Sequence, residues 1–180
     1  FLINYDASGN EQWFRYAGSS SSCILGGMSL KGNSICMTGN YNGTLFFLGG
    51  PSTQQLPSVN TYNLFVCRYD LNGNYVWSNG NGSVSNIESN SISIKSNGNV
   101  VIGGNYNCRF TDYSALYGSG IFCSIGYSDC FVSEYDNASN LLWARNFGGK
   151  QNDYLRSVAV NGNNQISTTG SFSDHLNSTY

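Results

Sequence analysis

One motif occurs three times along this chain. Phe1-Leu2-Ile3-Asn4-Tyr5-Asp6 is followed by Trp13, Phe65-Val66-Cys67-Arg68-Tyr69-Asp70 by Trp77, and Phe131-Val132-Ser133-Glu134-Tyr135-Asp136 by Trp143. Each Asp stands seven residues before its Trp. A repeat this regular fixes architecture before any other feature does, because each copy must find the same kind of neighbour.

The first half of the motif alternates. Phe65, Cys67 and Tyr69 point to one side of a strand, Val66 and Arg68 to the other. Asp70-Leu71-Asn72-Gly73-Asn74 is turn chemistry, since Asp bonds its own backbone and Gly accepts a positive φ. The equivalent turn residues are Asp6 and Gly9 in the first copy and Asp136 in the third. There Ser139 replaces the glycine, which predicts a strained turn or one of another type. The Trp opens a second strand, so the motif reads as a β-hairpin. A second hairpin follows each Trp, with turns at Lys31-Gly32-Asn33, Ser96-Asn97-Gly98-Asn99 and Asn161-Gly162-Asn163-Asn164. It ends each time in glycine, a polar residue and an aromatic: Gly39-Asn40-Tyr41, Gly104-Asn105-Tyr106, Gly170-Ser171-Phe172. Two hairpins per repeat make four short strands. The expected fold is all-β, with four-stranded antiparallel blades of the β-propeller type.

The pattern F-V-x-x-Y-D-x-x-G-N-x-x-W, followed by G-N-x-x-x-x-G, resembles the bacterial-type beta-propeller repeat family (SBBP repeats), with the PQQ-type propeller repeat as nearest rival. Residues 131–149 match it best, and the likeness spans most of the chain outside two inserts. It implies a propeller segment of a secreted or surface protein and assigns no reaction, because a propeller hosts many functions. It also implies that the glycine-containing hairpin supplies the inner strands of a blade and the Phe-to-Trp hairpin after it the outer ones. On that division 1–17 is an outer half-blade, 24–79 a blade with an insert at 42–64, 90–147 a blade with an insert at 107–130, and 154–172 an inner half-blade. The recurrent Trp13, Trp77, Trp143, Phe1, Phe65, Phe131, Tyr5, Tyr69 and Tyr135 are expected to pack between blades. About three repeats are too few for a closed ring, since propellers use about four to eight blades. Three completions stay open: further repeats of a longer chain, several chains sharing a ring, or the inner half-blade of one copy completed by the outer half-blade of the next.

Composition narrows the function classes. The chain of 180 residues has a formal charge of −2 with only 10% charged residues, and its basic residues form no run. That argues against a nucleic-acid partner. The longest strongly apolar run, Leu45-Phe46-Phe47-Leu48, is far short of a membrane span. The N-terminal residues show neither a basic n-region nor an apolar h-region, and the chain starts inside a strand motif, so a mature product or an excerpt is expected. Six cysteines suggest a disulfide framework and an extracellular or cell-surface setting. Cys123–Cys130 is the best local pair. The other four have three pairings, of which Cys23–Cys36 with Cys67–Cys108 is favoured over buried free thiols. Glycosylation sequons stand at Asn42, Asn81, Asn137 and Asn177.

Tests for chemistry return little. The only histidine, His175 beside Asp174, is read as a tail or loop residue, and no serine has nucleophile-elbow spacing. No catalytic residue and no metal ligand is assigned. Asp70-Leu71-Asn72-Gly73-Asn74 has part of the oxygen spacing of a calcium loop but lacks the terminal bidentate acid, so no cofactor is expected. The insert aromatics Phe46, Phe47, Phe110, Tyr113, Tyr117, Phe122 and Tyr127 form a candidate binding face for carbohydrate or protein. The alternative is that the inserts cover a blade edge or a neighbouring subunit. The expected function is a non-enzymatic, extracellular structural protein, assembling head to tail with itself or with further repeats into a filament or ring.

Overall fold

The structure, a computed structural model, describes residues 1–48, 54–58, 62–83, 86–107, 115–117, 120–121, 124, 126–173 and 177–178. The described regular elements are strands: β1 (Leu2–Tyr5), β2 (Glu11–Ser19), β3 (Ser22–Lys31), β4 (Ser34–Asn42), β5 (Leu45–Leu48), β6 (Gln54–Leu56), β7 (Tyr62–Tyr69), β8 (Tyr75–Ser83), β9 (Ile87–Ile94), β10 (Val100–Tyr106), β11 (Ala115–Tyr117), β12 (Gly120–Ile121), β13 (Asp129–Tyr135), β14 (Leu141–Gly148), β15 (Asp153–Val160), β16 (Ile166–Phe172) and β17 (Asn177–Ser178). The sheet orders β3-β4-β7-β8 and β9-β10-β13-β14 are two complete antiparallel blades. The pair β1–β2 continues into β5–β6 as a four-stranded sheet, and β15–β16 form a two-stranded sheet.

The blades repeat residue for residue. Gly39 faces Phe65 and Ile35 faces Tyr69 in the first blade; Gly104 faces Phe131 and Val100 faces Tyr135 in the second. The three Asp turns also share one hydrogen-bond set. The Asp Oδ1 accepts from the N–H groups two and four residues on: Ser8 and Asn10, Asn72 and Asn74, Ala138 and Asn140. The Asn side-chain amide donates to Oδ2. Gly9 and Gly73 take φ of 83° and 76°, and Ser139 keeps the same turn at φ 68°. So the serine accepts the left-handed conformation rather than changing the turn type, at the cost of local strain.

These turns predict an acid response. The side-chain amides of Asn10, Asn74 and Asn140, then the backbone N–H groups, hold Asp6, Asp70 and Asp136 below the usual carboxylate range. A depressed native pKa contributes stability above the unfolded value, near 3.8, that is lost as pH falls through the native one. Thermal melts should be flat from pH 7 to 5 and fall steeply below about pH 4. Asp70→Asn should lower the melting temperature at pH 7 and shrink that fall.

The core lies between blades. Cys36, Val66 and Trp77 of the first blade meet Ile92, Ile102, Phe131 and Tyr135 of the second. Val101, Cys130 and Val132 of the second meet Leu155 and Val158 of the β15–β16 pair. The motif strands β7 and β13 are therefore apolar on both faces, as expected of a sheet covered on both sides.

The described parts of the inserts include strands. Segment 42–64 contributes the β5–β6 hairpin, which pairs with β2 from Ala17 opposite Phe47 to Ser19 opposite Leu45. β17 pairs with β14 in the same manner, Phe147 opposite Ser178, and β11 lies against β8. Each time, the chain after an inner hairpin turns back along the outer strand of the preceding blade. This covers an edge whose free N–H and C=O groups would otherwise template non-native pairing.

The disulfide expectation for Cys23–Cys36 is overturned. Cys23 pairs with Tyr41 across β3–β4 and Cys36 with Ser29, and both carry free thiols, as do Cys67 and Cys130. The register separates the two cysteines along the hairpin, and Cys36 packs toward the second blade. Cys108 and Cys123, the partners expected for Cys67 and Cys130, lie outside the described residues. Burial pushes the Cys36 and Cys130 thiols up to about 12 and Cys67 well above its usual value, so they are apolar filler rather than nucleophiles.

Candidate assembly interface

The recurrent aromatics separate into two groups. Phe65, Phe131, Tyr69 and Tyr135 are fully buried between blades, whereas Phe1 is 81% exposed and Tyr5 56%. Together with the exposed Phe14 and Tyr16, they form an aromatic face on β1–β2, with Phe1 stacked on Phe14 at 6.3 Å. The same contrast appears on the inner strands. Met28 and Leu30 are 54% and 58% exposed, while Ile92 and Ile94 at the equivalent register are buried by the first blade. The leading face of β1–β2 and β3 is thus a blade interface without a blade against it. Exposed apolar patches of this kind mark interaction surfaces.

β16 pairs with β15 alone among the described strands, so its second edge is open. Beside that edge is a cavity of about 290 Å³ lined by Cys130, Phe147, Tyr154, Leu155 and residues 168–172. In the complete blades, β7 and β13 occupy this place with their Phe and Tyr buried.

The tryptophans show what each blade asks of the next. Trp13 Nε1–H donates to Leu71 O at 2.9 Å, its ring lies where a Cβ on Gly73 would stand, and Arg15 Nε–H donates to Gly73 O at 2.7 Å. Asn79, two residues after Trp77, donates to Ser139 O at 2.7 Å in the next turn. Trp77 is buried in the core. Trp143 is only partly buried and its Nε1–H donates to Glu134, while Arg145 donates to Ala144 O as Arg15 does to Phe14 O.

One blade-to-blade device escapes the sequence pattern. Ser89 N–H donates to Asn40 Oδ1 at 2.9 Å while Asn40 Nδ2 donates to Ile87 O. Leu155 N–H donates to Asn105 Oδ1 at 2.9 Å and Asn105 Nδ2 donates to Asp153 O at 3.5 Å. The carboxamide of each Gly-Asn-aromatic end therefore clamps a donor and an acceptor of the next blade's innermost strand. The recurrence of Gly-Asn was legible; its side chain's reach into the following blade was not.

Other expected sites fare differently. Phe47 is buried against Phe65 and Tyr75 with centroids 6.0 and 5.9 Å away, so it is core and not a contact for a partner. Phe46 is half-buried, Tyr127 is exposed, and Tyr117 falls in β11. Phe110, Tyr113, Phe122, Asp174 and His175 lie outside the described residues. Asn42 ends β4, Asn81 falls in β8 and Asn177 in β17. The Asn137 amide is already engaged: Nδ2 donates to Asn97 O at 2.9 Å and Oδ1 accepts from Arg68 at 2.6 Å. Among the described residues no three His, Cys, Asp or Glu side chains group as metal ligands.

Antiparallel sheets of four strands or more, following one another along the chain, make a propeller-like repeat fold. Sequence comparison agrees. The chain is 27% identical over 147 residues to an uncharacterized WD repeat-containing protein of Acanthamoeba polyphaga mimivirus, covering 77% of this chain and 10% of that protein. It is 25% identical over 168 residues to a protein of Caulobacter vibrioides named Regulatory protein FlaEY, covering 92% of this chain and 17% of that protein. The chain therefore spans less than a fifth of the length of these curated relatives. No protein-family model matches it.

Proposed function

We propose that this chain is a non-enzymatic, extracellular assembly scaffold of the bacterial-type propeller repeat kind, whose half-blades are completed by hairpins of its own type. A second copy supplies β1–β2 to the open edge of β16. The carrying observation is complementarity of register. By analogy with the β4–β7 and β10–β13 ladders, the pairing would put Gly170 opposite Phe1, Thr168 opposite Ile3 and Ile166 opposite Tyr5 of the incoming strand. Phe1 and Tyr5 then enter the cavity beside β16, Trp143 and Arg145 reach the incoming turn at Ala7–Gly9, and Met28 and Leu30 are covered by β15–β16. Backbone pairing of this kind supplies affinity, and alternate side chains in pockets supply specificity. Because donor and acceptor lie at opposite ends of the fold, the contact is head to tail and propagates into a ring or filament.

The cysteines no longer argue for an oxidising compartment, since four of them carry free thiols. Extracellular placement rests on the repeat resemblance alone.

Light scattering on the purified chain should give species well above 19.6 kDa, resolved by electron microscopy as rings or filaments. The double substitution Phe1→Asp with Tyr5→Asp places carboxylates where the intact blades bury aromatics, at positions that are exposed within one copy. It should leave circular dichroism unchanged and reduce the material to monomer. A wild-type chain that stays monomeric at millimolar concentration overturns the proposal.

A further inference from the structure

We propose that the groove between the inner-hairpin turns of the two complete blades binds an acidic saccharide, an oxyanion carried on a polyhydroxylated body. Three of the chain's eight basic residues, Lys31, Arg68 and Lys95, line this groove of about 490 Å³, although they are far apart in sequence.

Comparison of equivalent positions carries the assignment. In the second blade, Lys95 follows the first inner strand and Glu134 lies on the third; they form an ion pair at 2.5 Å, with Asn99 donating to the same carboxylate. Burial opposes the Glu134 charge, but bonds from Lys95, Asn99 and Trp143 hold it below the ordinary range. The register puts Lys31 where Lys95 stands, Ser34 where Asn99 stands and Arg68 where Glu134 stands. The first blade has therefore replaced an ion pair with two cations. Arg68 donates to neutral oxygens, Ser34 Oγ and Asn137 Oδ1, and Lys31 donates to Ile94 O at 3.3 Å. Neither forms an ion pair among the described residues. The fold does not require a cation here, since the first repeat carries Asn4 at the Arg68 position. Like charges at a site that elsewhere holds an ion pair oppose folding, and such local conflict is retained where function needs it.

Ligand chemistry follows from the lining. A guanidinium fork beside a mobile ammonium suits a carboxylate or sulfate. Around them stand Asn33, Asn97, Ser96 and Asn137, groups that both donate and accept and so match sugar hydroxyls. The groove lies at the turn end of the blades, opposite the β4–β7 and β10–β13 connections. It is thus separate from the insert face, and it needs no second copy.

Calorimetric titration of the intact chain at low salt tests this with four probes: trigalacturonate, its methyl ester, a sulfated disaccharide and inorganic phosphate. Saturable binding of trigalacturonate or the sulfated sugar, lost for the ester and weakened at least about tenfold by Lys31→Gln and by Arg68→Gln, supports the site. Lys31 is exposed at the end of β3, so that variant reports on binding even where the Arg68 variant loosens the blades. Equal affinity for inorganic phosphate overturns the saccharide assignment. Binding unchanged in the Lys31→Gln protein, or none by either acidic sugar at about 10 mM, overturns the site.

Discussion

Asn105→Leu is expected to destabilise the chain by about 2–4 kcal/mol in urea unfolding, more than any exposed substitution. The leucine matches the volume of the amide but leaves the Leu155 N–H and Asp153 C=O without the partner they have now. Each buried orphan costs about 1–3 kcal/mol, more than the net worth of the bond itself. The loss should be local first. β15–β16 is held to the second blade by this clamp and by the Val101, Val132, Leu155 and Val158 packing, so its amides should exchange earliest in hydrogen-exchange measurements. Asn40→Leu should do the same between the complete blades, exposing Ile87–Ile94 instead. If Asn105→Leu unfolds at the wild-type urea midpoint, the amide is a bystander and blade cohesion is apolar alone.

The second large effect is expected from adding one methyl group. A Cβ on Gly104 would stand 1.8 Å from Glu88 O and 2.9 Å from Ser89 Cα, both backbone atoms of the neighbouring inner strand. Gly39 and Gly170 meet Ile24 O and Tyr154 O in the same way, at 2.2 and 2.1 Å. All three face a bulge in the innermost strand, where the ladder skips a residue and the backbones approach closely. Gly104→Ala must move main chain, and overpacking of that kind costs about 3 kcal/mol or more. Gly103→Ala is the control. Its Cβ would meet only the ends of the Val158 and Leu155 side chains, at 2.8 and 2.9 Å, which can rotate away. Thermal melts should show Gly104→Ala far below Gly103→Ala; equal shifts would mean that the bulge relaxes freely.

Neither effect is visible in the motif, yet the motif is what led to them. The recurrence of Phe, Tyr, Asp and Trp announced hairpins of one kind, and the Asp turns followed from residue chemistry acting over four positions. Such local interactions are written in order along the chain, so the all-β repeat architecture and its turns were legible. The candidate interface was legible in outline, through the unpaired half-repeats. Its chemistry was not, because Phe1 and Phe65 are the same residue in the same motif and only the presence of a preceding blade separates exposed from buried. The cysteines misled for a related reason. An even count says nothing about which faces of a hairpin they occupy, and the register set Cys23 and Cys36 apart.

Sequence alone determined the strands, the turns and the repeat, since these depend on neighbours within a few residues. Tertiary structure decided what crosses from blade to blade: the Asn40 and Asn105 clamps, the strands from 42–64 laid along β2, and the gathering of Lys31, Arg68 and Lys95 around one groove. Those pairings join residues up to about 64 positions apart, and only the close packing of one sheet on the next brings them within hydrogen-bond reach.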